Sequence, residues 1–389
     1  MVHGTLVGYH WAMLSPLDDY PIHQAPRPIA VPATGDRNHY GRYWFGAFHR
    51  DAAFSIEAAF GRYTNLGVAD CSLSIVKGDH QYAFHASGHA PDDPMVTTMG
   101  PFRLEIVEPM KELRITVEEN DTDLTADLVW RARAGALAED HTYMDSGPVR
   151  VIDMIRFTQF GSWAGEVTVR GETTAFTHDE MVGVRDRSWG IRPVGEKPAG
   201  RAMSAPGNCW LWAPIHFDDE CRLFGYFQEP GGKFWRADGF RVPVVDPVPA
   251  SIDESTPGVH RLDPVAQRLE FRSGSRWIER AEFDLVPEEG DPYTITLEPQ
   301  LRFQMKALGY ANIDWGHGHY HGELAVGGEE WDLSTLDPAD PTVQHVHHTV
   351  RATMPDGNGG EKVGVGLLEQ IIYGPHTQFG FNELLDLAP

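Results

Sequence analysis

Apolar and polar residues alternate along most of this chain in short stretches, which is the pattern of half-buried β-strands. Stretches of this kind are SLSIV, FRLEIVE, LRITVEE, DLTADLVWRAR, GEVTVRGE, RLEFR and PYTITLEPQLRFQM. Glycine and proline are scattered between them, as turns between many short strands require. Helical periodicity is scarce, and 264–283 is a candidate for a short helical turn. The pattern predicts an all-β protein with few short helices.

Three pairs of similar segments occur in the same order along the chain, which indicates an internal duplication. The pairs are Tyr43–Asp51 with Trp210–Asp218, Trp163–Glu172 with Tyr320–Glu329, and Gly183–Gly190 with Gly364–Gln370. Antiparallel strands without covering helices must hide their sheet edges, and closing into a barrel does so. We therefore expect an irregular arm over 1–40 that wraps the body, a first β-barrel or sandwich over 41–195 and a second over 196–389. The linker is expected near 193–208.

Composition narrows the class of partner. The 389-residue chain carries a net charge of −24, which disfavours nucleic acid and anionic membranes as partners. It has neither a secretory signal pattern nor an apolar run of membrane-spanning length. The cysteines, Cys71, Cys209 and Cys221, lack metal-binding spacing and fit a reducing compartment. A cytoplasmic protein is predicted, with a homodimer left open.

The segment 184–193 (VRDRSWGIRP) concentrates arginines, a carboxylate and an indole. Strand alternation divides its neighbourhood into two faces: Val182, Val184, Asp186 and Ser188 against Arg185, Arg187 and Trp189. If the valines face the barrel interior, so does Asp186, and the arginines keep it ionised as a base or electrostatic stabiliser. The alternative is a structural Arg–Asp network. Leu367 stands at the aligned position of the second half, so the motif is expected to be one-sided and functional, with Glu369 as a second candidate carboxylate.

Histidines form the next candidate group. His317, His319 and His321 alternate in WGHGHYHG, and on a strand they would share one face, which is competent for zinc. Their phase opposes that of the apolar Leu324, so we expect them to face outward as a polar wall, or to supply one acid–base histidine. The segment 345–348 (HVHH) is interpreted as surface, with a metal site as the lesser alternative.

The aromatic segments that begin each half are expected to be mostly core. Some of their rings are candidates for lining a ligand pocket. These are Trp44 in the first half and Trp210 and Trp212 in the second, with His216 close to them.

With these motifs in hand, the chain resembles the tandem lipocalin-like superfamily that includes carotenoid 1,2-hydratases, AttH-like proteins and fungal Diels–Alderase-type cyclases. It is most similar to uncharacterised bacterial members with an Arg-Asp-(Arg or His)-Ser-Trp-Gly-x-Arg signature, here Arg185–Arg192. These also carry Trp-Gly-His-Gly ahead of a Gly-Glu-Leu strand, here Trp315–Leu324. The resemblance spans about 40–385. It implies two lipocalin-like antiparallel domains, an apolar small molecule bound in or between them, and no organic cofactor.

The sequence therefore predicts an acid–base enzyme acting on a hydrophobic isoprenoid-, steroid- or polyketide-like molecule, as a hydratase/dehydratase, isomerase or cyclase, without cofactor or metal. Asp186 would be base or cation stabiliser, Arg187 and Arg192 would orient it or hold a substrate oxygen, and His319 or Glu369 would transfer the second proton. Predicted ligand contacts are Trp44, Trp189, Trp210, Trp212, His216, Trp315, His317 and Tyr320. The alternatives are an apolar-ligand carrier or sensor, and a metal-dependent enzyme using His317, His319 and His321.

Overall fold

The computed structural model describes residues 14–194 and 207–389. The expected domain boundary at 195/196, most of the linker and the first part of the arm lie outside these ranges. Every helix in the described residues is a short 3₁₀ turn: Pro16–Asp19, Thr64–Leu66, Met305–Leu308, Pro341–Val343 and Thr377–Phe379. The all-β prediction is confirmed. Among the described residues, none of the helices has the length and apolarity needed to cross a membrane.

The first half of the chain forms one strongly curved sheet, called the first barrel below. Its strands are β1 His39–His49, β2 Ser55–Tyr63, β3 Val68–Lys77, β4 His80–His89, β5 Thr98–Met99, β6 Phe102–Glu108, β7 Glu112–Val117, β8 Leu124–Ala132, β9 Ala136–Ala138, β10 Thr142–Ser146, β11 Val149–Val169, β12 Glu172–Phe176 and β13 Met181–Ile191. The main order is β4-β3-β2-β1-β13-β11-β8-β7-β6-β5. The sheet curls so that strands near its two ends approach each other, since Cys71 Sγ on β3 lies 3.9 Å from the Met99 carbonyl oxygen on β5.

The second half forms a closed eight-stranded barrel. The strands in this half of the chain are β14 Asn208–His216, β15 Glu220–Gln228, β16 Phe234–Pro243, β17 Ser251–Ile252, β18 His260–Phe271, β19 Ile278–Pro287, β20 Tyr293–Gln304, β21 Leu324–Asp332, β22 His345–Pro355 and β23 Glu361–Tyr373. The barrel order is β14-β15-β16-β18-β19-β20-β22-β23. The segment 264–283 belongs to the β18–β19 hairpin, so the expectation of a helical turn there is wrong.

The two halves share one topology at their centre. In each, the first strand pairs with both the second and the last strand: β1 with β2 and β13, and β14 with β15 and β23. This supports the duplication. The longest sequence match does not reflect it, because Trp163 lies within β11 whereas Tyr320 lies in a loop before β21. Strand β21 instead crosses over and pairs with β4 at the edge of the first barrel.

The strands at the junction, such as β1 and β13, are buried on both faces, one inside the barrel and the other against the partner barrel. Val182 and Val184 share one face of β13, as alternation predicts, and they pack in the hydrophobic cluster between the barrels with Trp44, Trp210 and Trp212. Their expected position inside the first barrel is therefore wrong. Two-sided burial explains the error, because period-2 alternation gives relative phase but does not say which face is the interior.

The opposite face of β13 carries Arg185, whose charged side chain lies inside the first barrel. Arg185 is fully buried there, and its Nη1 lies 2.6 Å from Oδ1 of Asp19, which is also fully buried. Gln159 Oε1 accepts two further hydrogen bonds from Arg185, at 2.9 and 2.7 Å. Asp19 comes from the N-terminal arm, so the arm reaches into the barrel and neutralises its buried guanidinium.

Removing this partner is expected to destabilise the fold strongly. Asp19→Asn leaves the Arg185 charge buried without a counter-ion, which should cost about 3–5 kcal/mol in the free energy of unfolding. Urea denaturation followed by tryptophan fluorescence measures this cost, with Asp51→Asn, at an exposed aspartate, as the control. A loss below about 1 kcal/mol would show that water or another group replaces Asp19.

Candidate active site

A cavity of about 240 Å³ lies at the junction of the two barrels. Its apolar walls include Trp44, Trp210 and Trp212, which are among the predicted ligand contacts. Of the predicted catalytic residues, Asp186, Arg192 and Glu369 line this cavity. Strands β1, β13, β14 and β23 pack the barrels together and so bring these residues, which are far apart in sequence, into one site. Arg192 follows directly after β13.

Asp186 and Glu369 each pair with a tryptophan on the first strand of their own half. On β13, Asp186 pairs with Trp44 of β1, and on β23, Glu369 pairs with Trp212 of β14. The two indoles meet edge to face, with ring centroids 6.0 Å apart. In the sequence match, Trp44 corresponds to Leu211, which pairs with Gln370, so the two carboxylates are one position out of step. What differs between the halves is the partner of each carboxylate.

The first-half carboxylate lies among arginines and is nevertheless shifted towards its neutral form. Burial raises the pKa of Asp186 to about 6, and Arg156 opposes the shift while Glu139 adds to it. Arg192 and Arg42 also lower it, by smaller amounts. Burial thus outweighs the arginines, although a carboxyl with this pKa is still mostly ionised at neutral pH. Desolvation outweighs them because Arg156 is already paired with Glu139 at 2.5 Å, which reduces its net field.

The arginines of the cavity retain unused hydrogen-bonding capacity. Arg42, Arg156 and Arg192 each have a buried Nε–H without a hydrogen-bond partner in residues 14–194 and 207–389. Arg192 packs its guanidinium over the rings of Tyr40, at 4.5 Å, and Tyr310, at 5.6 Å. Buried donors of this kind normally find an acceptor, so the wall is suited to an oxygen atom of a ligand.

The second-half carboxylate lies among histidines. Glu369 Oε1 is 2.8 Å from His345 Nε2 and 3.6 Å from His347 Nε2. His347 Nδ1 is 2.9 Å from Glu57 Oε2 on β2 of the first barrel, and Trp44 Nε1 donates to the same oxygen at 3.0 Å. Burial lowers the pKa of His347, but Glu57 and Glu369 outweigh it and raise the pKa to about 10.

The interpretation of HVHH as surface is wrong. His345, His347 and His348 are all buried, because β22 has one face in the barrel core and the other at the junction. The alternation of His345 and His347 on a strand beside the one that carries Glu369 was the available signal. Glu57 carried no signal, since its partner lies 290 residues away.

The predicted row of histidines, His317, His319 and His321, does not lie on a strand. Residues 309–323 form a turn-rich loop, so the strand alternation assumed for His317, His319 and His321 is wrong. The ring of His317 contacts the guanidinium of Arg42, and its Nε2 is 2.8 Å from the Leu308 carbonyl oxygen. His319 and His321 both contact the Asp314 carbonyl oxygen, at 3.3 and 2.8 Å.

Other predicted residues lie elsewhere. Arg187 and Trp189 line a separate cavity of about 260 Å³ against the N-terminal arm, because they project from the opposite face of β13 to Asp186. His216 is buried farther along the junction, with Nε2 2.9 Å from the Gly183 carbonyl oxygen. Trp315 stacks on His85 at 5.3 Å, and Tyr320 is 60% exposed. The structure does not bring these residues into the junction cavity.

Comparison with known proteins gives the family. A family described as a family of unknown function, DUF8625, matches residues 14–382. The chain belongs to DUF8625. No curated protein matches this DUF8625 chain.

Solved structures show the fold. The match to the crystal structure of CghA with Sch210972 covers 92% of this chain and 96% of CghA, with a TM-score of 0.50 and 10% sequence identity. The match to kievitone hydratase from Nectria haematococca covers 86% of this chain and 89% of the hydratase, with a TM-score of 0.47 and 12% sequence identity. The match to an AttH-like protein from Nitrosomonas europaea covers 87% of this chain and 94% of that protein, with a TM-score of 0.49 and 10% sequence identity. The DUF8625 chain has the tandem lipocalin-like fold, as the sequence predicted.

The raised pKa of Asp186 has a measurable consequence for stability of this DUF8625 protein. The folded state holds a proton up to pH about 6, against 3.8 for the free group, so the folded state binds more protons than the unfolded state between these values. Stability should therefore fall as pH rises through this window. Above it, Asp186→Asn should be more stable than the wild type by up to ~3 kcal/mol, a gain that vanishes near pH 4.

Chemical denaturation of both proteins between pH 4 and 8 measures this difference, and exposed Asp51→Asn should show none. An Asp186→Asn variant that is less stable than the wild type at pH 7 would contradict it. That result would mean that Asp186 is a structural partner of the arginines.

Proposed function

We propose that this protein is an enzyme that performs acid–base chemistry on an apolar small molecule bound in the junction cavity, with Asp186 as the base. The observation that carries the proposal is a carboxylate with a pKa of about 6 on the wall of an aromatic-lined cavity. A group with a pKa just below neutrality is mostly ionised at pH 7 and still protonates easily, which suits proton transfer in both directions.

The surrounding groups define the chemistry. Ionised Asp186 would take a proton from a substrate carbon next to a carbonyl, and the negative charge would move to the substrate oxygen. Arg192 and Arg156, with their unpartnered Nε–H groups, would stabilise that oxygen. Return of the proton at another carbon is an isomerisation, and loss or addition of water across the same bond is a dehydration or hydration.

The walls favour a largely apolar substrate with at least one oxygen. Trp44, Trp212 and Ile371 supply apolar surface, while the arginines supply donors on one side. Isoprenoid-, steroid- and polyketide-like molecules have this character. The structure of CghA with Sch210972 is consistent with small-molecule binding in this fold, although the likeness itself is one of fold.

Deuterium exchange tests the proposal on whichever small molecule the cavity retains. Small molecules that co-purify with the protein are extracted, identified by mass spectrometry and incubated with fresh protein in deuterated buffer. Wild-type protein should introduce solvent deuterium at carbon, and the rate should fall as pH drops below about 6, because the base becomes protonated. Asp186→Asn should lower the rate by about 10²–10⁴-fold.

A matched control is Asp70→Asn. Asp70 is also a buried carboxylate whose pKa is raised to about 6 by burial, but it accepts a hydrogen bond from Gly318 N at 2.7 Å and does not line the junction cavity. This variant should catalyse exchange at the wild-type rate. Wild-type exchange in Asp186→Asn would overturn the base assignment, and tight ligand retention without exchange in any variant would favour the carrier hypothesis.

A further inference from the structure

Three potential metal ligands converge on the junction cavity from neighbouring strands. His345 and His347 alternate on β22, so both project to the same face, and Glu369 on β23 is the cross-strand partner of His347. One ligand atom from each of the three side chains lies within 4.8 Å of the others. Among residues 14–194 and 207–389, this is the one group of three or more such side chains with that property.

The distances are close to those that an ion would require. A tetrahedral zinc ion with bonds of 2.0–2.1 Å holds its ligand atoms about 3.3 Å apart. The Glu369 oxygen lies 2.8 Å from one imidazole nitrogen and 3.6 Å from the other, which brackets this value. Small rotations of the three side chains would therefore admit the ion without movement of the strands.

One of the histidines is already oriented as a metal ligand. Glu57 holds Nδ1 of His347 at 2.9 Å, and Glu57 is itself fixed by the indole of Trp44. The Nε2 atom of His347 is buried and has no hydrogen-bond partner within the described chain. A carboxylate behind the imidazole and an unused nitrogen in front of it is the usual arrangement of a zinc-bound histidine.

The charges also favour a cation. Glu57 and Glu369 place two carboxylates around two imidazoles in a region with side-chain exposures of 13% or less. Without an ion, a proton on the His347 imidazole offsets part of this charge. A divalent ion bound between the three ligands would take the place of that proton.

We infer that His345, His347 and Glu369 form a binding site for a divalent transition-metal ion of the zinc type, with Glu57 orienting His347. Two nitrogens and one carboxylate oxygen are a common donor set of catalytic zinc sites, which keep a fourth position open. The three ligands line the junction cavity, so a ligand bound in the cavity could reach that position. An ion there would bind a substrate oxygen or a water molecule; this use of the ion, unlike its binding, rests on the function proposed above.

Metal binding can be measured on the whole protein without any substrate. Protein treated with a chelator and dialysed is titrated with Co²⁺, whose visible absorption reports tetrahedral nitrogen and oxygen ligation, and with Zn²⁺ in competition. One ion per chain should bind. Glu369→Gln and His345→Ala should each weaken binding by more than about 100-fold, because each removes a ligand atom. Glu57→Gln, which acts only through His347, should weaken it by about 10–100-fold.

Two controls keep the result specific. His319→Ala and His321→Ala remove histidines of the loop before β21, and both should bind Co²⁺ as the wild type does. Asp186→Asn should also retain the ion, so loss of the proposed acid–base activity and loss of metal binding are separable. Circular dichroism confirms that each variant is folded.

Two outcomes would overturn the inference. In one, no saturable Co²⁺ or Zn²⁺ binding occurs at one ion per chain while NMR shows a protonated His347 ring between Glu57 and Glu369; the cluster is then an ion-pair network. In the other, the ion binds but is lost with His319→Ala and retained with Glu369→Gln, which would place the metal in the loop.

Discussion

The buried carboxylate of Glu57 fixes the position of the second barrel relative to the first. It lies on β2 of the first barrel, accepts a hydrogen bond from Trp44 at 3.0 Å and contacts His347 of the second barrel at 2.9 Å. A fully buried charge without partners would cost several kcal/mol, so the barrels are stable together only where these groups meet. This contact sets β22 and β23 against β1 and β13. The junction cavity and its carboxylates are consequences of that placement.

Two carboxylates on the cavity wall differ in their chemistry. Asp186 and Glu369 each stand opposite a tryptophan, yet burial raises the pKa of Asp186, whereas His345 and His347 outweigh burial and hold the pKa of Glu369 well below its usual value. Residues on neighbouring strands cause the difference, since Arg156 on β11 is occupied by Glu139 while the histidines on β22 are directed at Glu369. Titratable pairs whose environments push their pKa values apart are typical of acid–base sites.

The interior of the first barrel is filled, which moves the candidate site outside it. A small β-barrel can hold one small ligand inside it. Here that space holds Trp130 and Trp163, together with Arg185 and its counter-ion Asp19 from the arm. The cavity beside the candidate catalytic groups lies between the barrels instead. The packing of two barrels against each other therefore creates a cavity that neither would have alone.

Local alternation in the sequence was enough to predict strands, two related halves, the shared face of Val184, Asp186 and Ser188, and the pairing of Asp186 and Glu369 as candidate groups. These properties depend on neighbours within a few residues, because side chains on a strand repeat every second position. Which face was interior, that His345 and His347 are buried, and that Glu57 belongs to the site depended on the packing of the barrels. Such contacts join residues up to 290 positions apart, and a strand buried on both faces has no polar side to reveal its orientation.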